Sequence, residues 1–224
     1  RVSLGFLYWL QTEAPATGSR RGAPELRLNP GIMGTPDGLA KFPYIRESRR
    51  IKSLRTVVEQ DVSVEHQAGP RAAHFEDSVG VGWYPIDIHR SGPEDVGISC
   101  RTRPFQIPMG ALIPVRIVNL LAAAKNIGTT HITNGCFRLH PVEWNIGEAA
   151  GTLAAFCLDR AETPAGVSSN PGLRAAFQRA LLDSRIPLAW TNNVGVDHPD
   201  FSAVQIQAMA GRGLDNNDLN FHPA

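Results

Sequence analysis

The sequence predicts an α/β chain, and three observations predict it. Short runs with β-branched residues lie between residues 43 and 117, and helical periodicity dominates from residue 142 onward. Seventeen prolines and 21 glycines among 224 residues imply long irregular connections between these pieces. A hydrophobic fraction of 42% with 19% charged residues belongs to a chain that can bury a core, which excludes disordered and collagen-like classes. The 22 basic and 21 acidic residues nearly cancel, so no bulk field favours nucleic acid or a membrane surface. No run reaches the roughly 18 apolar residues that span a bilayer, so a soluble chain without a transmembrane segment is expected. The chain opens at Arg1 with no charged and then apolar leader. The expectation is a piece of a longer protein, with its compartment open and any export signal upstream.

Each element follows in order. Residues 3–11 (SLGFLYWLQ) read as a helix end or a buried segment, and the rest of a first region, 1–42, as a long surface loop with turn signals from Met33 to Gly38. A second region, 43–117, carries the predicted strands. These are the run from Arg46 to Ile51, the run from Leu54 to Gln60 with Thr56, Val57 and Val58, and Ser78 to His89. Gly80 and Gly82 inside the last of these suggest a bulge or a close backbone approach. Residues 90–104 read as a polar loop, and Phe105 to Leu112 as an edge or irregular strand interrupted by Pro108. A third region, 118–162, opens with the apolar run 118–124, which reads as a buried strand ending in the turn from Lys125 to Gly128. From Val142 to Arg160 the spacing predicts a helix with Ile146, Ala150, Leu153, Ala154, Cys157 and Leu158 on one face, and Pro141 stands where a first-turn proline is tolerated. A helical extension, 163–224, follows. It has a break at 163–171, a helix from Leu173 to Leu182, an extended piece from Ile186 to Trp190, and a last helix from Phe201 to Gly211.

The chemistry concentrates between Asn119 and Gly151. Gly147, Ala149, Ala150 and Gly151 remove side-chain bulk from the start of a helix, so another backbone or a flat ligand can approach. Plain helix-on-sheet packing accounts for the same glycine spacing. A helix N-terminus presents unpaired N–H groups and partial positive charge, which suits an anionic or electron-rich ligand.

The stretch NLLAAAKNIGTTHITNGCFRLHPVEWNIGEAAGTLAAF resembles the C-terminal signature of a bacterial family of FAD-dependent oxidoreductases within the glutathione-reductase-like flavoproteins. GTPDGLAKFPYIRESRRI, DSVGVGWYPIDIH and PFQIPMGALIPVRIVNLL match the same family in order, so the resemblance covers most of residues 28–160. It implies the C-terminal part of an FAD/NAD(P)-binding-type flavoprotein, with a β-sheet substrate domain, a strand and helix returning to the FAD-binding domain, and C-terminal helices. It further implies FAD as cofactor and a small-molecule substrate. Lys125, Asn126, Ile127 and Gly128 match the turn beside the cofactor. Glu143, Trp144, Asn145, Ile146 and Gly147 match the loop and helix start at the flavin ring, with backbone N–H groups as the expected contacts. His131, Arg138 and His140 fall on the flavin's reactive side as catalytic candidates, Arg138 as an anion or oxyanion stabiliser. Arg46, Arg49 and Arg50 match the Arg-rich entry to the substrate domain, and Arg46, Arg49, Tyr84 and His89 are the substrate-binding candidates.

The family's GxGxxG phosphate loop is not found; Gly80-Val81-Gly82 lacks the third glycine and a following helix. A fragment completed by a missing N-terminal nucleotide-binding half is therefore expected, itself binding FAD weakly. The tail DHPDFSAVQIQAMAGRGLDNNDLNFHPA resembles half of an S-layer homology repeat. This supports an alternative, a non-catalytic cell-wall or carbohydrate-binding protein on a flavoprotein-derived scaffold; a helical cap is the plainer reading.

Other residues carry two readings each. His89 beside Asp87 is a substrate or acid/base group, or a surface cap of its strand. Arg138 binds an anion bidentately or pairs with Glu143 across the turn. The basic residues from Arg46 to Lys52 bind substrate or solvate a strand edge. Trp83, Tyr84 and Trp144 stack on a ligand or are buried aromatics. The spacing of His131 and His140 fits no metal site, and no metal is expected. Cys100, Cys136 and Cys157 form no CxxC, and Cys136 has no nearby partner for redox work.

Overall fold

The computed structural model describes every residue except Pro43, Tyr44, Glu47, Ser48, Asn216 and Ala224. The chain divides into two compact units, Arg1–Ile45 and Arg46–Ala224.

The first unit holds helices α1 (Val2–Thr12) and α2 (Pro30–Met33). The expected helix at its start forms, but none of its residues is buried within the chain; Val2, Phe6 and Tyr8 all face outward. Phe6 and Trp9, three residues apart on one face, stack at 5.8 Å. The loop returns onto this helix through Ala23 N–H to Leu10 O and the Gln11 side chain to Leu26 O, both within 2.9 Å. Asn29 caps α2 through its side chain, and Gly34 closes it in the left-handed conformation at φ 63°.

The second unit is built on two small antiparallel sheets covered by helices, in keeping with the α/β expectation. Strand β1 (Ser78–Gly82) pairs with β4 (Phe105–Pro108), and β2 (Ile86–Ile88) with β3 (Ile98–Cys100). The expected single strand over 78–89 is thus two strands, broken at Trp83–Pro85, because Pro85 supplies no donor to a ladder. The β1–β4 register shifts between Ser78 and Val81, which is the irregularity that Gly80 signalled. The loop expected over 90–104 contains β3. Helix α4 (His131–Phe137) packs on β2, and α5 (His140–Arg160) packs on β1. Helices α6 (Pro164–Ser169) and α7 (Pro171–Asp183) follow against α5, and α8 (Phe201–Met209) lies on α7. The core joins both sheets to these helices through Phe105 stacked on Phe137 at 4.4 Å and Phe156 edge-on to Phe177 at 5.4 Å.

Two groups of expected strands do not form. Of the run from Arg46 to Ile51, Glu47 and Ser48 lie outside the described residues, and the rest has no strand geometry. The run from Leu54 to Gln60 contributes a single bridge, Val57 to Thr129, before the chain turns into a short helix α3 (Glu59–Val62), which Asp61 caps by accepting from Val58 N–H at 2.9 Å. Residues 118–124 were expected as a buried strand. Val118 and Leu120 are instead 68% and 46% exposed, and one ladder-like bond, Ala122 N–H to Leu112 O, holds the segment. A strand needs a neighbour for each edge, and no described segment lies alongside this one as a strand.

The buried face of α5 also differs from the expected one. Ile146, Ala150, Leu153 and Cys157 are buried as the spacing predicts, joined by Val142, Ala149 and Phe156, whereas Ala154 and Leu158 point outward. The segment 163–171 does not simply break the helix but forms α6, capped by the Thr163 hydroxyl. In the tail, the extended piece from Ile186 to Trp190 pairs with a side chain rather than a strand. The buried Gln205 carboxamide accepts from Leu188 and Ala189 N–H and donates to Ala189 O. Arg71 fastens the end of the chain by donating to the carbonyls of Trp190, Asp215, Asp218 and Asn220. The tail's last helix is therefore anchored in the core, with Phe201 only 1% exposed. Among the described residues no helix is long and apolar enough to cross a membrane.

Candidate functional site

The start of α5 gathers the polar residues that the sequence singled out. The N-cap of this 21-residue helix is Leu139, whose apolar side chain cannot accept from the first N–H groups. His140 and Pro141 open its first turn, and both His140 and Trp144 face outward. Glu143 is its acidic first-turn residue and stands 3.7 Å from Lys125 Nζ, with both side chains less than one-fifth exposed (17% and 18%). That separation is an ion pair rather than a hydrogen bond.

The turn from Lys125 to Gly128 is held from several sides. Asn126 O accepts from Ile51 N–H at 2.9 Å, Gly128 O from Val57 N–H at 2.8 Å, and Gly128 N–H donates to Ala111 O at 2.8 Å. Asn134, fully buried in α4, donates its amide to Lys125 O at 2.8 Å. A side chain at Gly128 would collide with Ser53 and with the carbonyl of Arg55. Ile127 is buried and supplies core packing, not a polar contact.

Arg138, expected either to face an anion or to pair with Glu143, is 6% exposed and pairs with Asp87 rather than with Glu143. Its Nη2 donates to Asp87 O at 2.7 Å and lies 3.4 Å from the Asp87 carboxylate. The same carboxylate oxygen is 3.0 Å from His89 Nε2. Sequence distance hid this grouping, since Arg138 and Asp87 are brought together only because α4 lies on β2. Gly135 makes that approach possible, for a Cβ there would meet Asp87 N at 2.9 Å. His131, the first residue of α4, is exposed.

The other substrate-binding candidates sit elsewhere. Arg46 and Arg49 precede the segment that meets Asn126, and Arg49 is exposed. Tyr84 is half-buried, its carbonyl accepting from the Thr102 hydroxyl at 2.8 Å, and it lines a hollow of about 240 Å³ with Trp83, Pro85 and Arg101. Trp83 and Trp144 are not buried aromatics, being 54% and 73% exposed; Trp83 meets Trp190 edge-on at 5.7 Å.

Two residues of the flavin-ring candidates turn inward. Ile146 is completely buried, and Asn145 Oδ1 accepts from Val81 N–H at 2.8 Å, closing the gap at the β1 bulge. The opposite side of the helix is open. Gly147, Ala150, Gly151, Ala154 and Leu158 line an apolar groove of about 560 Å³ whose other wall is Val118, Leu121 and Ala123. A Cβ at Gly151 would meet nothing within 4 Å, and one at Gly147 only Ala123 O at 3.3 Å. The groove's size lies within the range of ligand sites. The sequence did not reveal its second wall, because residues 118–123 read as a buried strand.

Cysteine chemistry is quiet here. All three thiols are free, and burial pushes Cys136 far above the ordinary thiol range, so it stays protonated. Among the described residues one group has metal-ligand spacing, Asp215, Asp218 and His222, with ligand atoms within 4.8 Å of one another. His222 Nε2 is already 3.0 Å from Asp218, and both carboxylates are held below their usual range chiefly by backbone N–H donors of their own turn.

Comparison with curated proteins and with solved structures gives no match. The model of the family described as FAD dependent oxidoreductase matches residues 1–181.

Proposed function

The chain belongs to the FAD dependent oxidoreductase family, and from that premise we propose that the start of α5 is where it meets the flavin ring. An FAD-dependent oxidoreductase-type function follows from membership itself; the finer reading is a glutathione-reductase-like arrangement in which substrate and flavin exchange a hydride. The observation that carries it is the form of α5, a long helix with an apolar residue at its N-cap and an open groove of small residues along its outer face. These features fit the cofactor. The partial positive charge of a helix N-terminus favours the edge of a ring that becomes negative on reduction, and the small residues admit a flat body or a closely packed backbone.

Bound FAD supplies the two-electron chemistry, and this chain's residues hold and orient. The turn from Lys125 to Gly128 and the first turns of α5, from Glu143 to Gly147, line the cofactor side; the Glu143 N–H already donates to Leu139 O at 2.8 Å, so the helix acts there through its partial positive charge rather than through free donors. Arg138, fixed by Asp87, stabilises negative charge on the substrate, and His131 and His140 are the proton-handling groups. Arg46, Arg49, Tyr84 and His89 form the outer substrate contacts. The phosphate-binding glycine loop is supplied by an N-terminal nucleotide-binding half encoded upstream of Arg1, and residues 118–123 gain their strand neighbour from it.

The test is optical. Protein expressed together with the coding sequence upstream of Arg1 is expected to be yellow, with flavin absorbance, and a correctly folded form that takes up no added FAD overturns the reading. Gly147→Leu in that protein is expected to abolish flavin retention while the helix content by circular dichroism stays unchanged. Full flavin content in this variant would assign Gly147 to packing alone.

A further inference from the structure

Lys125 stands where helix stability does not want it. A helix N-terminus carries partial positive charge, so a cation there is disfavoured and an acid favoured. Glu143 satisfies that rule and Lys125 opposes it. Burying such a pair costs desolvation on both sides, and at 3.7 Å it gains no hydrogen bond in return. Yet the lysine's backbone is fixed with care. Asn134 holds its carbonyl, and the following turn is bonded to Ile51, Val57 and Ala111. A fixed charge pair at a helix N-terminus is a preorganised field.

Building on the flavin placement above, we propose that Lys125 and Glu143 tune the flavin's reduction potential in opposite directions, Lys125 raising it and Glu143 lowering it. Both act on the ring through the field they set. A positive charge stabilises the negative charge that the ring gains on reduction, and a negative charge opposes it.

The experiment is a reductive titration of the FAD-loaded protein, expressed with the coding sequence upstream of Arg1, against reference dyes. Lys125→Met is expected to lower the midpoint potential and Glu143→Gln to raise it. Each shift corresponds to at least about tenfold in the equilibrium between oxidised and reduced flavin, roughly 30 mV for a two-electron couple. Lys125→Arg, which keeps the charge, is expected to restore the parent value. A merely structural pair would move both variants the same way or not at all, and either result overturns the proposal. Should Lys125→Met fail to fold by circular dichroism, Glu143→Gln decides alone, and a potential that does not rise overturns it. Loss of FAD uptake by the parent protein would sink the flavin placement itself, and this proposal with it.

Discussion

The two sides of α5 use glycine for opposite ends. Where helices meet the sheets, three glycines of β1 and α4 are filled from outside. Gly80 lies against the Asn145 carboxamide, Gly82 against Phe105 and Val142, and Gly135 against the backbone of Asp87. Toward the groove, Gly151 has nothing near it, and a Cβ at Gly147 would meet a single atom, the Ala123 carbonyl oxygen, at a tight 3.3 Å. The first set exists so that parts of this chain can touch. The second set leaves a space that no described residue of the second unit occupies. Glycine costs a helix about 1 kcal/mol against alanine, so an unfilled glycine in the middle of α5 has no account in the packing of this unit.

Substitutions break the contrast in order of size. Gly128→Ala, in the turn that supports Lys125, is expected to cost the most, ~3 kcal/mol or more, because a methyl group has no room between Ser53 and the Arg55 carbonyl. Urea denaturation measures it, and a loss below 1 kcal/mol would show that the turn yields easily. Gly80→Ala follows, with about 2 kcal/mol expected. Its cost should fall when Asn145→Ala is added, since the Asn145 side chain is what fills the space. A double-mutant cycle with no coupling would mean the bulge, not Asn145, demands the glycine. Smallest is Gly151→Ala, which is expected to stabilise this chain by up to ~1 kcal/mol. A destabilised Gly151→Ala protein would show that something in the chain already closes the groove.

Parts of this architecture were legible from local pattern. The helix over 142–160 was readable because Ile146, Ala150, Leu153 and Cys157 recur at helical spacing, and a first-turn proline marked its start, although Ala154 and Leu158, read on the same face, point outward. The bulge near Gly80 was readable because a glycine pair inside a strand pattern has few other uses. Residues 118–124 misled for a related reason. An apolar run of that length is what a buried strand looks like, but strand pairing depends on a partner, and Val118 and Leu120 stand in the open. Arg138 illustrates the same limit within the candidate site. Its neighbour in sequence, Glu143, was a reasonable partner, yet Asp87 takes it because α4 rests on β2.

The sequence by itself determined the family, the α/β class, the long helix and the residues that gather at its start, because these rest on local composition and on motifs that need no partner. Only the tertiary structure decided which of those residues meet. It paired Lys125 with Glu143 and Arg138 with Asp87, turned Asn145 inward to β1, and left Gly147 and Gly151 facing an open groove. The physical reason is that charge pairing and steric filling depend on distances across the fold, and residues 18 or 51 positions apart become neighbours only when helices and sheets pack.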